Sequence, residues 1–283
     1  MATHDIATGL GSLHLQITGT GDPILLMPSL LTDHTLYAAQ VAHFSGRYTT
    51  IAVDPPGQGA SEPLRKAFSF EESARAYVDV LDGLGLPWAH LVGNSWGAMI
   101  GGTIAATFPD RVGCAVLLNG TASEGPRWDR LQLALAARMT RLAGRPLFVR
   151  STVVPRFLGA TTRRQRPELV DGLVAMINGN DARSASFAVE SIVVRRPDQH
   201  AVYARIGAPT LVVAGREDAS FPVAEVRRMA ESIPGSELVV LDQIGHLAAY
   251  EAPAAVNALI DDFLKGLRMK SQQLGQQRGP VPT

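Results

Sequence analysis

Ala89-His90-Leu91-Val92-Gly93-Asn94-Ser95-Trp96-Gly97-Ala98-Met99-Ile100 decides the architecture of this chain. Ala89 to Val92 is a short apolar run that reads as a buried strand, and the stretch from Ala98 reads as the opening of a helix. Between them Gly93 to Gly97 fits G-x-S-x-G, a sharp strand-to-helix turn that holds its serine in a strained conformation, with glycines that let neighbouring chain pack close. In a chain with 27 glycines the bare motif also arises by chance as a surface turn, so its weight comes from its place between a strand and a helix. Gly101 and Gly102 would each cost the helix about 1 kcal/mol against alanine unless close packing requires them.

The same rhythm extends outward from the turn. Ile24 to Met27, Thr49 to Val53 and Ala115 to Leu118 also read as buried strands, with helical segments at Asp33 to His43, Phe70 to Leu84 and Trp96 to Phe108 between them. Alternating strands and helices predict an α/β fold, a mostly parallel sheet covered by helices. From Thr121 to about Arg205 no strand of that quality occurs, only amphipathic stretches broken by Gly144, Pro146, Pro155, Pro167, Gly179 and Pro197. The alternation resumes with Thr210 to Ala214, a helix at Val223 to Ser232, the strand Glu237 to Leu241 and a helix at Ala252 to Leu267. Residues 1–120 and 206–267 are therefore expected to form the core, 121–205 an inserted helical cap at the loop edge where such sheets bind ligands, and 268–283 a disordered polar tail.

Composition narrows the function classes. With 283 residues, 46% of them hydrophobic, the chain can bury a large core. Lys+Arg and Asp+Glu both number 26, and this neutrality argues against nucleic acid or an anionic membrane as the main partner and for a small-molecule ligand. Cys114 is the single cysteine, which excludes an intrachain disulfide, and the start MATHDIATGLGSLH lacks the basic and apolar regions of a signal peptide, so a cytoplasmic location is expected. The best candidate for a membrane span, Leu131 to Leu142, is interrupted by Gln132, Arg138, Thr140 and Arg141.

A serine hydroxyl is a poor nucleophile at neutral pH and needs a base, and that base needs an acceptor to hold its tautomer. Asp218 follows the strand Thr210 to Ala214 and His246 follows Glu237 to Leu241, so both are expected just past carboxyl ends of strands, on the edge that carries Ser95. Glu217 rivals Asp218 as the acid, and Asp242 is a further acid within reach of His246. His4, His14, His34, His43, His90 and His200 fall in the N-terminal hairpin, on helices, at a strand start or in the cap, where surface or core-edge roles are expected.

These motifs together resemble the α/β-hydrolase family over nearly the whole chain, from the hairpin before Ile24 to the helix ending near Leu267. Besides the serine turn, Asp54-Pro55-Pro56-Gly57-Gln58-Gly59-Ala60-Ser61 is similar to the family's D-x-x-G-x-G-x-S turn, and Gly245-His246 to the turn around its catalytic histidine. The resemblance implies an α/β-hydrolase fold with an eight-stranded sheet, the triad order Ser95, Asp218, His246, and no metal or cofactor. Glu62 stands where a dinucleotide fingerprint would place its third glycine, so the Gly57-Gln58-Gly59 turn reads as structural. Many members carry His-Gly after the strand corresponding to Ile24–Met27. This chain has Pro28-Ser29-Leu30-Leu31-Thr32-Asp33 instead, which leaves the main-chain N–H groups of Ser29 and Trp96 as the expected oxyanion donors. That loop, with Gly97 to Gly101 and Pro209 to Gly215, resembles 3-oxoadipate enol-lactonases in particular, which implies hydrolysis of a small-molecule ester or lactone. Serine hydrolases of carbon–carbon bonds in diketones, acyltransferases and non-catalytic receptors share these motifs and stay open, as does a homodimer.

Residues 121–205 hold fourteen arginines, no lysine and seven acids, net +7, against net −7 for the rest. Two readings stand side by side: arginines that hold a substrate carboxylate, or arginines on solvated helix faces. Leu30, Phe221 and Leu247 are expected to line the substrate pocket because they neighbour catalytic positions, with Trp96 either beside them or buried beneath the turn. Of the apolar cap residues Trp128, Leu135, Met139, Phe148, Phe157, Met176 and Phe187, most are expected to pack the cap onto itself and a minority to line the pocket, with Trp128 taken as a lining residue.

Overall fold

The apolar runs at the centre of the sheet become strands because both faces of each are covered. Ile24, Leu25, Leu26, Met27, Leu91, Val212 and Val213 are all essentially inaccessible, as parallel strands between two helical layers must be. The computed structural model describes residues 2–143 and 149–277. Its strands are β1 (Ala2–Thr8), β2 (Gly11–Thr18), β3 (Pro23–Met27), β4 (Thr49–Val53), β5 (Ala89–Asn94), β6 (Val112–Leu118), β7 (Thr210–Gly215) and β8 (Glu237–Leu241). They form one eight-stranded sheet in the order β1-β2-β4-β3-β5-β6-β7-β8. The hairpin β1–β2 and the β2–β4 pair are antiparallel, and the pairs from β4 through β3 to β8 are parallel. The chain steps outward from β3 to β4 and then returns to the other side of β3 with β5. The crevice at such a switch point is where open α/β sheets bind ligands.

The core helices are α1 (Ala38–Phe44), α2 (Phe70–Gly83), α3 (Trp96–Thr107), then α10 (Val223–Glu231), α11 (Ala248–Glu251) and α12 (Pro253–Gln277). Alternate strand residues choose between the two layers: Leu25, Ile51, Leu91 and Val212 pack with Tyr77, Ile100, Ile104 and Val226 of α2, α3 and α10. Ile24, Ala52, Val92, Val116 and Val213 pack with Phe44, Val256, Ile260 and Leu264 of α1 and α12. A capping box starts α2, with the Glu72 N–H donating to Ser69 Oγ at 3.1 Å and the Ser69 N–H to Glu72 Oε2 at 2.7 Å. Between β6 and β7 the described residues form helices only: α4 (Arg127–Ala143), α5 (Val154–Phe157), α6 (Ala160–Gln165), α7 (Pro167–Gly179), α8 (Ala182–Val189) and α9 (His200–Tyr203), with π-helical turns at Val149–Val153 and Glu190–Val194. Gly144, Pro146 and Phe148 lie outside the described residues.

Two expectations shift. The segment expected to be one helix from Asp33 to His43 is a 3-10 turn, His34–Tyr37, followed by α1. The last helix runs to Gln277, past the Lys270 region expected to be disordered, while residues 278–283 lie outside the described residues. Met269, Lys270, Gln272, Gln273 and Leu274 are good helix formers, and Arg268 ties the helix back to Asp22 at 3.3 Å. No helix among the described residues is long and apolar enough to cross a membrane.

The Asp54 to Ser61 turn is held by one carboxylate. Asp54 Oδ2 accepts the Ala60 N–H at 2.7 Å, and Oδ1 accepts both the backbone N–H and the ring Nδ1–H of His34 at 2.7 Å. A side chain at Gly59 (φ 56°) would lie 2.4 Å from that carboxylate. Burial pushes the Asp54 pKa up, but the hydrogen bonds from the His34 ring and the two backbone N–H groups outweigh it and bring it below its ordinary value. The Asp54 hydrogen bond raises His34, against an opposing effect of burial. A raised histidine contributes stability below its unfolded pKa, about 6.5, that is lost as pH climbs through the folded value; a lowered aspartate contributes above about 3.9 and loses it as pH falls. His34→Gln is therefore expected to cost most stability between about pH 4 and 6.5. Urea unfolding at pH 5.5 and pH 9 checks this, since an equal cost at both would remove the pair from the account.

Candidate active site

Ser95 sits at φ 55°, ψ −110°, between the end of β5 and the start of α3, in backbone space that side chains other than glycine rarely occupy. Its N–H donates to Leu118 O of β6 at 2.8 Å. The flanking glycines are sterically required: a Cβ at Gly93 would lie 2.2 Å from Gly97 O, and one at Gly97 would lie 1.9 Å from Met27 O. The G-x-S-x-G spacing thus reflects how closely the turn presses on β3.

The three residues expected to act together meet. Ser95 Oγ lies 2.7 Å from His246 Nε2, and His246 Nδ1 lies 2.8 Å from Asp218 Oδ2. All three are buried. With the proton on Nδ1 donated to Asp218, Nε2 is left as the acceptor of the Ser95 hydroxyl proton. Asp218 Oδ1 accepts the N–H groups of Ser220 at 2.7 Å and Phe221 at 2.9 Å, and Oδ2 also accepts Asn119 Nδ2–H at 3.0 Å, so the carboxylate is fixed on both oxygens. The rival acids are engaged elsewhere: Glu217 accepts the N–H and hydroxyl of Thr161 at 2.7 and 2.6 Å, and Asp242 pairs with Arg216.

Three supporting residues escaped the sequence reading. Asn119, at φ 51° just past β6, also donates to Gly245 O at 3.0 Å, and Asn94 Nδ2–H donates to His246 O at 2.9 Å. For Asn119 the available signal was an asparagine directly after a strand, and for Asn94 its place beside Ser95 in the turn motif. Glu251 gave none, since it is one acid in the alanine-rich run Ala248 to Ala254. It is buried, and its carboxylate accepts the N–H groups of Gly159 at 2.9 Å, Gly245 at 3.2 Å and Leu247 at 3.1 Å. It therefore grips the chain on both sides of His246 and joins it to the segment between α5 and α6.

Ser29 lies two residues past β3 and Trp96 two residues past β5, and Met27 pairs with Gly93 across those two strands. Neither N–H has an acceptor among the described residues. Trp96 is fully buried and stacked on Phe68, with ring centroids 5.8 Å apart, beneath the turn. Leu30 is buried in the same core cluster, and Leu247 is sealed in the opposite cluster with Leu158 and Ala248. Phe221 lies edge-on to His246 at 5.2 Å, and Phe157 is 5.5 Å from it. Trp128 does not join them. It is 76% exposed on α4, as are Leu135 and Met139 to lesser degrees, because α4 turns Arg130, Ala137 and Arg141 toward its neighbours instead. Phe187 lies under Arg141 at 4.1 Å.

Arg196, in the loop before α9, is buried. Its Nε–H donates to Ser123 O at 2.8 Å, its guanidinium lies 5.3 Å over the Phe221 ring, and it forms no ion pair among the described residues. Burial lowers its pKa, with Glu225 acting the other way. A separate open cleft of about 640 Å³ runs between Asp33, His34 and Asp54 and the α7 residues Gly172, Ala175 and Met176. Ligand atoms of Asp33, His34 and Asp54 lie within 4.8 Å of one another. They are already engaged, Asp33 by Thr35 and Asp54 by His34 and Ala60.

Glu251→Ala leaves three buried N–H groups without an acceptor. It is expected to lower stability by about 3 kcal/mol or more and to lower turnover by loosening the His246 loop. Urea unfolding and ester hydrolysis measured side by side check this, and wild-type values for both would contradict it.

A family model described as alpha/beta hydrolase fold matches residues 22–253. Among curated proteins, the chain is 27% identical over 245 residues to 3-oxoadipate enol-lactonase 2 of Acinetobacter baylyi, covering 86% of this chain and 88% of that one. It is 27% identical over 262 residues to a 2-hydroxy-6-oxononadienedioate/2-hydroxy-6-oxononatrienedioate hydrolase of Burkholderia vietnamiensis, covering 89% and 91%. Among solved structures, a thermophilic esterase from Thermogutta terrifontis superposes with a TM-score of 0.87 at 27% identity, covering 94% of this chain and 99% of that one. With the sheet order, the strained serine turn and a matched region spanning most of its length, this chain belongs to the α/β-hydrolase family.

Proposed function

We propose that this protein is a serine hydrolase that cleaves a small-molecule ester or lactone bearing a carboxylate, with Ser95 as nucleophile, His246 as general base and Asp218 as its orienting acid. The observation that carries this reading is the continuous hydrogen-bonded line from Ser95 Oγ through the His246 ring to Asp218.

Ser95 Oγ attacks the carbonyl carbon while His246 Nε2 takes its proton, and the tetrahedral oxyanion accepts the N–H groups of Ser29 and Trp96. Collapse breaks the ester C–O bond, and the imidazolium returns its proton to the leaving oxygen. In a lactone that new hydroxyl stays attached to the acyl chain. Water, deprotonated by His246, then attacks the acyl-enzyme and Ser95 leaves with the proton. The imidazolium forms twice, and on each occasion Asp218 faces its Nδ1–H.

Residues 121–205 act in this reading as a cap over the crevice, with residues 1–120 and 206–267 as the core. The described residues of the cap bring a cation, Arg196, to the site. Arg196 is buried, lacks an ion pair among the described residues, and packs against the same Phe221 ring as His246, which suits a substrate carboxylate set back from the scissile bond. The oxoadipate and dioate relatives, by their names, act on carboxylates. Carbon–carbon bond cleavage by the same triad is the second reading, favoured by the Burkholderia relative.

Turnover of a lactone panel with and without a carboxylate, a p-nitrophenyl ester and a ring-fission dienoate tests the proposal. Ser95→Ala and His246→Ala are expected to abolish hydrolysis with folding retained, and Asp218→Asn to lower kcat by about 10³ to 10⁴. Arg196→Met is expected to raise KM for the carboxylate-bearing lactone by about 10- to 100-fold and to spare the neutral ester. Normal turnover by Ser95→Ala would refute the mechanism, and an equal effect of Arg196→Met on both substrates would refute the carboxylate site. Dienoate cleavage exceeding lactone hydrolysis would select the second reading.

A further inference from the structure

Five of the six large hydrophobic side chains exposed among the described residues lie on one helix: Trp128 (76%), Leu131 (61%), Leu135 (59%), Met139 (52%) and Leu142 (80%), all on α4. Their spacing of three, four, four and three residues places them on a single face. From Trp128 to Leu142 this stripe is about 21 Å long at the rise of an α-helix. It is not the face that attaches α4 to the protein. On that side Ala137 is buried, Arg130 donates to Val194 O at 2.8 Å and to Glu124 at 3.1 Å, and Arg141 donates to Ser186 at 2.9 Å and Glu190 at 3.2 Å.

The arginines of α4 divide the same way. Arg130 and Arg141, on the attached side, are paired. Arg127 and Arg138 are exposed and form no ion pair among the described residues. Arg127 lies one turn from Leu131, and Arg138 lies one turn from both Leu135 and Leu142, so the unpaired cations border the apolar stripe. An exposed face of tryptophan, leucine and methionine edged by exposed arginines is complementary to a surface that is apolar below and anionic above, which describes an anionic lipid bilayer.

We propose that α4 is an interfacial helix that seats the protein on anionic lipid, with its apolar stripe at the boundary between headgroups and acyl chains and Arg127 and Arg138 on lipid phosphates. A second copy of this chain fits the stripe less well. Two-fold antiparallel pairing of α4 sets the flank that carries Arg127 and Arg138 against the same flank of the copy, and the helix has four arginines and a single acid, so like charges meet. The neutrality of the whole chain, which speaks against an anionic membrane partner, averages this cap against an acidic core. Lying on a membrane also requires no spanning helix. The docking is independent of the chemistry at Ser95.

Sedimentation of the full chain with vesicles of phosphatidylcholine alone, or mixed equally with phosphatidylglycerol, tests the proposal. Binding is expected to the anionic vesicles, to weaken with added salt, and to be retained by Ser95→Ala. Leu131→Glu with Leu135→Glu is expected to weaken it at least tenfold, and Arg127→Ala with Arg138→Ala also about tenfold or more, while hydrolysis of a water-soluble ester without vesicles stays at the wild-type rate in both. Three results would overturn it: no binding to anionic vesicles by the unaltered protein, binding indifferent to both double variants, or a dimer in light scattering that the leucine variant dissolves.

Discussion

Everything at the candidate site follows from forcing Ser95 into a backbone conformation at φ 55°, ψ −110°, at a cost of order 1–3 kcal/mol that the surroundings must offset. The offset comes from contact on each side. The Ser95 N–H is fixed to Leu118 of β6, and Gly97 presses against Met27 of β3 with no room for a methyl group. The turn stands where strand order reverses, between the ends of β3 and β5, so Ser95 sits at the sheet edge, with its hydroxyl on His246.

The histidine and aspartate are brought in by the same sheet. They follow β8 and β7, and each is locked by a buried polar side chain whose role is to hold main chain: Asn119 bridges Asp218 and Gly245, Asn94 holds His246 O, and Glu251 holds the residues on both sides of His246. A hydrogen-bonded line is only useful if its members cannot rotate away, and low-dielectric burial strengthens bonds that are all satisfied. Because Glu251 also accepts the Gly159 N–H, any displacement of the segment between α5 and α6 is felt at the histidine loop.

Much of this was legible in the sequence, for definite reasons. Strands such as Pro23–Met27 and Thr210–Gly215 appear at the apolar runs, because parallel strands buried on both faces leave unbroken hydrophobic stretches. Ser95, Asp218 and His246 stood out as candidates because each lies in the turn or loop just past the carboxyl end of such a strand. What was not legible depends on packing between distant segments. Glu251 looks like an ordinary helix acid until Gly159, 92 residues away, is placed against it. Trp128 was expected at the substrate because an aromatic residue in a cap suggests a lining, yet helix periodicity also allows the opposite orientation, and the pairings of Arg130 and Arg141 fix the helix that way round. The end of α12 was not legible because a polar composition suggests disorder, although glutamine, lysine and methionine are also good helix formers.

The most direct measurement of the central claim is the mass and position of the adduct formed when the full chain is treated with a fluorophosphonate, read by intact-mass spectrometry and peptide mapping. The account predicts a single phosphonyl group on Ser95, formed in the unaltered protein and lost when His246 is replaced by alanine. An adduct at another serine, or rapid ester turnover with Ser95 unlabelled, would contradict it.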